Sequence, residues 1–265
     1  MKARPDLSVV FPAYNEEARL EPTLRAAAAY FRGRGARAEL IAVDDGSRDG
    51  TGALVLRLAE ELEELRLIRL PANRGKGYAV RTGVVNARGR LVLFADADGA
   101  TPIEEVARLE AALAAGADVA IGSRALAGVD TRVRARAYRR VMGRAFHLLV
   151  RTLAVRGYHD TQCGFKLFHA RAAHDLFSRM RMNGFSFDVE LLLMARGRGW
   201  RVAEVPVNWA HVPGSRVNLF LDSARMAADL FAIRARAARG GYDLPHLASL
   251  AEPAEASAVV APGAA

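Results

Sequence analysis

Leu91-Val92-Leu93-Phe94-Ala95-Asp96-Ala97-Asp98 decides how this chain is read: a run of strand-forming residues ends in two carboxylates separated by one small residue. A short apolar run closed by a turn signal reads as a buried strand. Similar runs occur at 7–11, stopped by Pro12, and at 39–43, 65–70 and 119–123. Between them apolar residues recur at helical spacing: Leu20, Leu24 and Ala28; Leu54, Leu58 and Leu62; residues 78–86; and Val106, Leu109 and Leu113 after Pro102. Strands alternating with helices in this way predict an α/β protein, Rossmann-like, with a doubly wound, mainly parallel sheet and helices on both faces.

Beyond residue 123 the alternation loosens. The pattern predicts a long arginine-rich helix over 133–155, a strand at 164–168, a helix at 189–195, a strand at 202–209 and an amphipathic helix over 217–236. From about residue 251 the Ala/Pro/Glu/Gly-rich sequence has neither period and is expected to be a disordered tail. Residues 1–250 are therefore expected to form a single domain.

Composition sets outer limits. The chain has 265 residues, 51% of them hydrophobic and 25% charged, the balance of an ordinary globular protein rather than a disordered one. Its single cysteine, Cys163, excludes an intrachain disulfide framework and a cysteine-based zinc cluster. Residues 1–6 are short and polar, and nowhere do about 18 uninterrupted apolar residues occur, so the expectation is a protein kept in the cytoplasm. The net charge of +9 implies attraction to a polyanion. Much of it lies in Arg132, Arg134, Arg136, Arg139, Arg140, Arg144 and Arg151, which suit either a solvated helix face or a helix docked on an anionic membrane surface.

In a parallel sheet the carboxyl ends of the first, second and fourth strands share one edge, which gathers Pro12 to Glu16, Asp44-Asp45, Asp96 and Asp98 around one crevice. Acids so gathered repel one another unless a cation or a ligand's donors offset them. Asp96 and Asp98 offer the hard oxygens that Mg²⁺ or Mn²⁺ prefers, with a diphosphate completing the shell. Asp-x-Asp at a strand end also serves as a turn or cap device. Arg74, Lys76 and Arg81 follow the third strand on the same edge, facing phosphate or solvent. A nicotinamide dehydrogenase is excluded, because Pro12-Ala13-Tyr14-Asn15-Glu16 stands where its glycine-rich turn belongs. A nucleic-acid partner is not expected, since it gives no reason for acids at three strand ends.

Val10-Phe11-Pro12-Ala13-Tyr14-Asn15-Glu16, Val43-Asp44-Asp45-Gly46-Ser47, Arg74-Gly75-Lys76-Gly77, Asp96-Ala97-Asp98-Gly99, Asp160-Thr161-Gln162-Cys163-Gly164-Phe165-Lys166 and Gly184-Phe185-Ser186-Phe187-Asp188-Val189-Glu190 together resemble inverting family 2 glycosyltransferases of the GT-A fold. Within that family the likeness is strongest to dolichyl-phosphate β-glucosyltransferases, then to dolichyl-phosphate mannose synthases, and it spans residues 7–236. It implies a nucleotide-sugar-binding half at 1–123 and an acceptor- and membrane-facing half at 124–239.

The resemblance also implies roles. Pro12, Ala13, Tyr14 and Glu16 would line the nucleotide pocket; Val43, Asp44 and Asp45 would lie near the base, Asp45 accepting from its ring N–H. Asp96, Ala97 and Asp98 would meet the ribose–diphosphate, with Asp96 and Asp98 holding Mg²⁺ or Mn²⁺. Lys76, Arg124, Lys166 and Arg216 are candidates for the donor diphosphate or the acceptor phosphate. The implied donor is UDP-glucose, with GDP-mannose the alternative, and the acceptor a dolichyl or other polyprenyl phosphate reached peripherally at the inner face of the cell membrane. A phosphate acceptor needs no strong base, whereas a hydroxyl acceptor would call on Asp188 or Glu190; Asp188 alternatively caps a helix beginning at Val189.

Overall fold

The computed structural model describes residues 4–126, 128, 131–134, 157–212 and 219–244. In chain order these form β1 (Leu7–Ala13), α1 (Leu20–Gly33), β2 (Ala38–Asp44), α2 (Thr51–Glu61), β3 (Leu65–Arg69), α3 (Lys76–Val85), β4 (Leu91–Ala95), a 3₁₀ turn (Ile103–Glu105), α4 (Val106–Ala114) and β5 (Val119–Ser123). There follow β6 (Val133–Arg134), β7 (Phe165–His169), α5 (Ala170–Arg179), α6 (Phe187–Gly197), β8 (Val202–Pro206), β9 (Trp209–Ala210) and α7 (Leu219–Ala238).

Seven strands make one sheet in the order β3-β2-β1-β4-β7-β5-β8, and β6 pairs separately with β9. β1 runs parallel to β2 and β4, β2 to β3, and β5 to β8. Only β7 is reversed, antiparallel to both β4 and β5. A strand from the second half of the chain thus occupies the middle of the sheet, and the two expected halves share a single framework.

Alternation along the strands divides the core into two layers. Val10, Ile41, Val43 and Phe94 pack against α3, α5, α6 and α7. Val9, Phe11, Leu40, Ala42 and Leu93 pack on the other face against α1, α2 and α4. All nine are almost completely buried, and each large one contributes about 1.5–3 kcal/mol by leaving water.

Three expectations need correction. Residues 202–209 are not one strand: the Glu105 carboxylate accepts from Asn208 N at 3.1 Å and Asn208 Nδ2 at 2.7 Å, drawing the chain off the sheet edge so that Trp209 pairs with Val133. The helix expected from residue 133 does not start there, since Val133–Arg134 is that pairing strand; its remainder, like the tail from 251, lies outside the described residues. The helix expected to begin at Val189 begins at Phe187. Among the described residues no helix is long and apolar enough to cross a membrane.

Candidate active site

The parallel directions of β1 to β4 bring their carboxyl ends to one edge, as the sequence implied, and the loops there are fastened to one another. After β1, Asn15 adopts a left-handed φ of 54°, its N–H donates to Ser47 Oγ at 2.9 Å, and its Oδ1 accepts from Arg48 N at 2.8 Å. Glu16 N donates to Thr51 Oγ1 at 2.8 Å, while both Glu16 carboxylate oxygens take the Arg19 guanidinium at 2.6 and 2.8 Å. Pro12 and Ala13 are buried within β1 opposite Val43 and Asp44, and Tyr14 beyond them is half-buried.

The two acids after β2 diverge. Asp44 turns inward, accepting from Ser47 N at 2.8 Å with Arg69 Nε 3.3 Å away. Asp45 faces the β3–α3 loop and accepts from Arg74 N and Gly75 N, each at 2.8 Å. Burial pushes its pKa up against the pull of those donors. In this geometry Asp45 fastens the loop that carries Lys76, a task the sequence did not reveal. Arg74 and Arg81 both stack on Tyr78, at 4.6 and 4.9 Å.

Asp96 and Asp98 stand at the end of β4. Asp96 N donates to Gly164 O at 2.9 Å, and its Oδ1 lies 2.5 Å from Lys76 Nζ. Burial works against the charge of Lys76, but the carboxylates of Asp96 and Asp188 outweigh it and raise its pKa. Asp98 accepts from Ala100 N at 3.1 Å; burial, then the charge of Asp96, raises its pKa. A cavity of about 460 Å³ opens beside the two acids, lined by Phe11, Pro22, Thr23, Pro102, Ile103 and Phe165 among others. The repulsion between Asp96 and Asp98 marks a point short of positive charge, and their donor set fits a hard divalent cation. Among the described residues no group of three or more His, Cys, Asp or Glu side chains could hold a metal. Any such ion would draw its remaining ligands from a bound molecule and water.

Lys166 is not at the crevice surface. It lies in the sheet interior, fully buried, with Nζ donating to Cys163 O at 2.6 Å and to Asp188 Oδ1 at 2.5 Å. Its strand position is in register with Phe94 on one side and Ile121 on the other. Asp188 is equally occupied and makes no capping bond, since it sits in the first turn of α6 after Ser186. Glu190 is also buried, holding Arg181 N, Met182 N and the Tyr242 hydroxyl. All three side chains are buried and engaged by these partners, and Asp188 lies close enough to Lys76 to help hold its charge. Cys163 is buried, and burial pushes its thiol pKa up to about 12, so it is no nucleophile. Arg216 lies outside the described residues.

Arg124 reaches the crevice from the end of β5 and is fixed by Asp160. The carboxylate takes Arg124 Nε at 2.6 Å, Nη2 at 2.9 Å and the backbone N at 3.0 Å, with the guanidinium 5.6 Å from the Trp209 ring. Burial alone would raise the Asp160 pKa, but the charge and bonds of Arg124 hold it down from 3.8 to about 2. The stabilisation is thus present above pH 4 and is lost as the pH falls toward 2. Its pH-dependent part should be about 2 kcal/mol. Urea unfolding of wild type and Asp160→Asn should show a gap at pH 6 that shrinks by about that amount as the pH falls from 4 toward 2; a gap independent of pH would refute the pairing.

The sequence model of "Glycosyl transferase family 2" matches residues 8–177, a span that includes the crevice loops, Asp96, Asp98 and Arg124. The chain belongs to glycosyl transferase family 2. This glycosyltransferase is 40% identical over 250 residues to the dolichyl-phosphate β-glucosyltransferase of Drosophila melanogaster, covering 89% of its own chain and 77% of the relative. It is 39% identical over 246 residues to the enzyme of the same name from Saccharomyces cerevisiae, covering 86% and 74%. A crystallised glucosyl-3-phosphoglycerate synthase from Mycobacterium tuberculosis superposes with a TM-score of 0.66 at 21% identity, over 87% of the glycosyltransferase and 80% of that chain. A mannosyltransferase from Pyrobaculum calidifontis, crystallised with GDP-Man and Mn²⁺, gives 0.57 at 22% identity, over 94% and 69%. The family and the GT-A fold expected from the sequence are both borne out.

Proposed function

We propose that this glycosyltransferase moves glucose from UDP-glucose, with inversion, onto dolichyl or another polyprenyl phosphate at a membrane surface. The observation that carries the reading is the identity of about 40%, over most of both chains, to enzymes named for that reaction. The crevice supplies chemistry to match. Asp96 and Asp98 would hold Mg²⁺ or Mn²⁺, whose contribution is to offset the negative charge of the departing UDP.

The acceptor phosphate oxygen attacks the anomeric carbon, and the bond from that carbon to the UDP oxygen breaks, the electron pair leaving with UDP. The acceptor is already anionic, so no proton has to be removed, which agrees with Asp188 and Glu190 both being buried and engaged elsewhere. Lys76, next to Asp96, brings positive charge to the leaving diphosphate. Pro12, Ala13, Tyr14, Glu16, Val43, Asp44, Asp45 and Ala97 surround the nucleotide in this reading. Asp45 does so mainly by holding the Lys76 loop. Arg124 and, by its place in the sequence, Arg216 serve the acceptor phosphate.

A lipid acceptor places the work at a membrane, and the net charge of +9 suits peripheral attachment to an anionic surface on its cytoplasmic side. The purified protein should be incubated with Mn²⁺ or Mg²⁺ and labelled UDP-glucose or GDP-mannose, with and without dolichyl phosphate. Label should enter the organic phase only with UDP-glucose and dolichyl phosphate together. Lipid-linked mannose would replace the donor assignment, and transfer to a soluble hydroxyl compound would replace the acceptor.

A further inference from the structure

The turn that carries Lys76 is gripped from two sides. On one side Asp45 holds Arg74 N and Gly75 N. On the other, residues 180–185 lie across the amino end of α3: Tyr78 N donates to Asn183 O at 3.2 Å and Arg81 Nη1 to Met180 O at 2.9 Å. Glycine permits this approach. A Cβ at Gly75, where φ is 99°, would overlap the Asn183 carbonyl, and one at Gly77 would stand 2.6 Å from the Met182 carbonyl oxygen.

One buried carboxylate fixes the 180–185 segment. Glu190 accepts from Arg181 N at 3.0 Å, from Met182 N at 2.7 Å and from the Tyr242 hydroxyl at 2.6 Å. Tyr242 follows α7 and is 1% exposed, and the Arg236 guanidinium lies 5.9 Å from its ring and 3.9 Å from Glu190. Three donors on one desolvated carboxylate leave it few other arrangements. A continuous path of contacts therefore runs from the end of α7 through Glu190 and the 180–185 segment to the residues that flank Lys76. Glu190 and Tyr242 both lie beyond residues 8–177, the span that the family model matches.

We propose that Glu190 and Tyr242 are positioning residues for the nucleotide sugar, acting on its diphosphate through the Lys76 turn. The proposal rests on the reading of Lys76 as a diphosphate contact. Without the phenol hydroxyl, Glu190 keeps the two backbone donors and the looser 3.9 Å approach of Arg236, and the 180–185 segment loses its one short tie to the end of α7. Lys76 is then held less closely where the donor needs it.

The test is UDP binding by titration calorimetry in the presence of Mn²⁺, together with steady-state kinetics, for wild type, Tyr242→Phe, Lys76→Met and the double variant. Tyr242→Phe should weaken UDP at least about fivefold and raise KM for UDP-glucose in parallel, with kcat and KM for dolichyl phosphate within about twofold of wild type. In the Lys76→Met background the same change should have little further effect on UDP affinity, because the residue it acts through is gone. A lowered melting temperature with unchanged UDP affinity would make the contact structural only and overturn the proposal, as would additive losses in the double variant. Should Tyr242→Phe fail to fold, Glu190→Gln, which keeps shape and one acceptor oxygen, carries the same expectation. Wild-type protein that does not bind UDP would overturn the functional reading and this proposal with it; wild-type binding with an unaltered variant would overturn this proposal alone.

Discussion

Asp98→Ala should lower glucosyl transfer by at least about a hundredfold while the protein remains folded, with a melting temperature equal to or above that of wild type. The loss follows from electrostatics: groups aimed at the charge of a leaving diphosphate in a partly dry site are worth roughly 10²–10³ in rate. The stability follows from the same observation read the other way. Burial and the neighbouring Asp96 raise the Asp98 pKa, so at neutral pH its charged form disfavours the fold in the absence of ligand. Removing it relieves repulsion. Turnover at saturating UDP-glucose and dolichyl phosphate, compared with a circular dichroism melt, checks both halves. Undiminished turnover would remove Asp98 from the chemistry, and a sharply lower melting temperature would mean that the carboxylate is structural.

Gly164→Ala should be nearly as damaging although no charge is lost. Gly164 precedes β7, its carbonyl takes Asp96 N at 2.9 Å, and a Cβ at this position would fall on the Asp96 carboxylate itself. The carboxylate has to move, and a displacement of about 1 Å at a reacting centre can cost about a hundredfold in rate. The control is Gly33→Ala at the end of α1, where an added Cβ meets nothing within 4 Å. That variant should keep wild-type turnover. Equal activity in the two variants would show that the contact between Gly164 and Asp96 does not set the site.

Much of this was legible in the sequence, for identifiable reasons. Buried strands announce themselves as short apolar runs between turn signals, so β1 to β5 could be placed, and placing them parallel gathered the acids of three strand ends. Strand direction leaves no such trace. Phe165-Lys166-Leu167-Phe168 reads as a strand, but nothing local says that it is reversed or that it enters the sheet between β4 and β5. With that insertion Lys166 is buried in the sheet, where its partner Asp188 is contributed by α6, 22 residues further on.

The break at Asn208 is hidden in the same way, because its cause, Glu105, is 103 residues distant. Asp45 is legible in the sequence as a candidate site residue, but its hold on the loop amides depends on a fold that composition does not specify. Tyr242 gave no signal at all. A single tyrosine after an amphipathic helix has meaning only once Glu190 is found beside it.

In the proposed function Asp96 and Asp98 jointly hold a nucleotide diphosphate through a divalent cation, and Mn²⁺ electron paramagnetic resonance is the sharpest probe of that arrangement. Mn²⁺ would be titrated into the protein with and without UDP, and into the Asp96→Asn, Asp98→Asn double variant. Immobilised Mn²⁺, one ion per chain, is expected when UDP is present, and free Mn²⁺ in the double variant. Failure to retain Mn²⁺ at saturating UDP, or equal retention by the double variant, would contradict it.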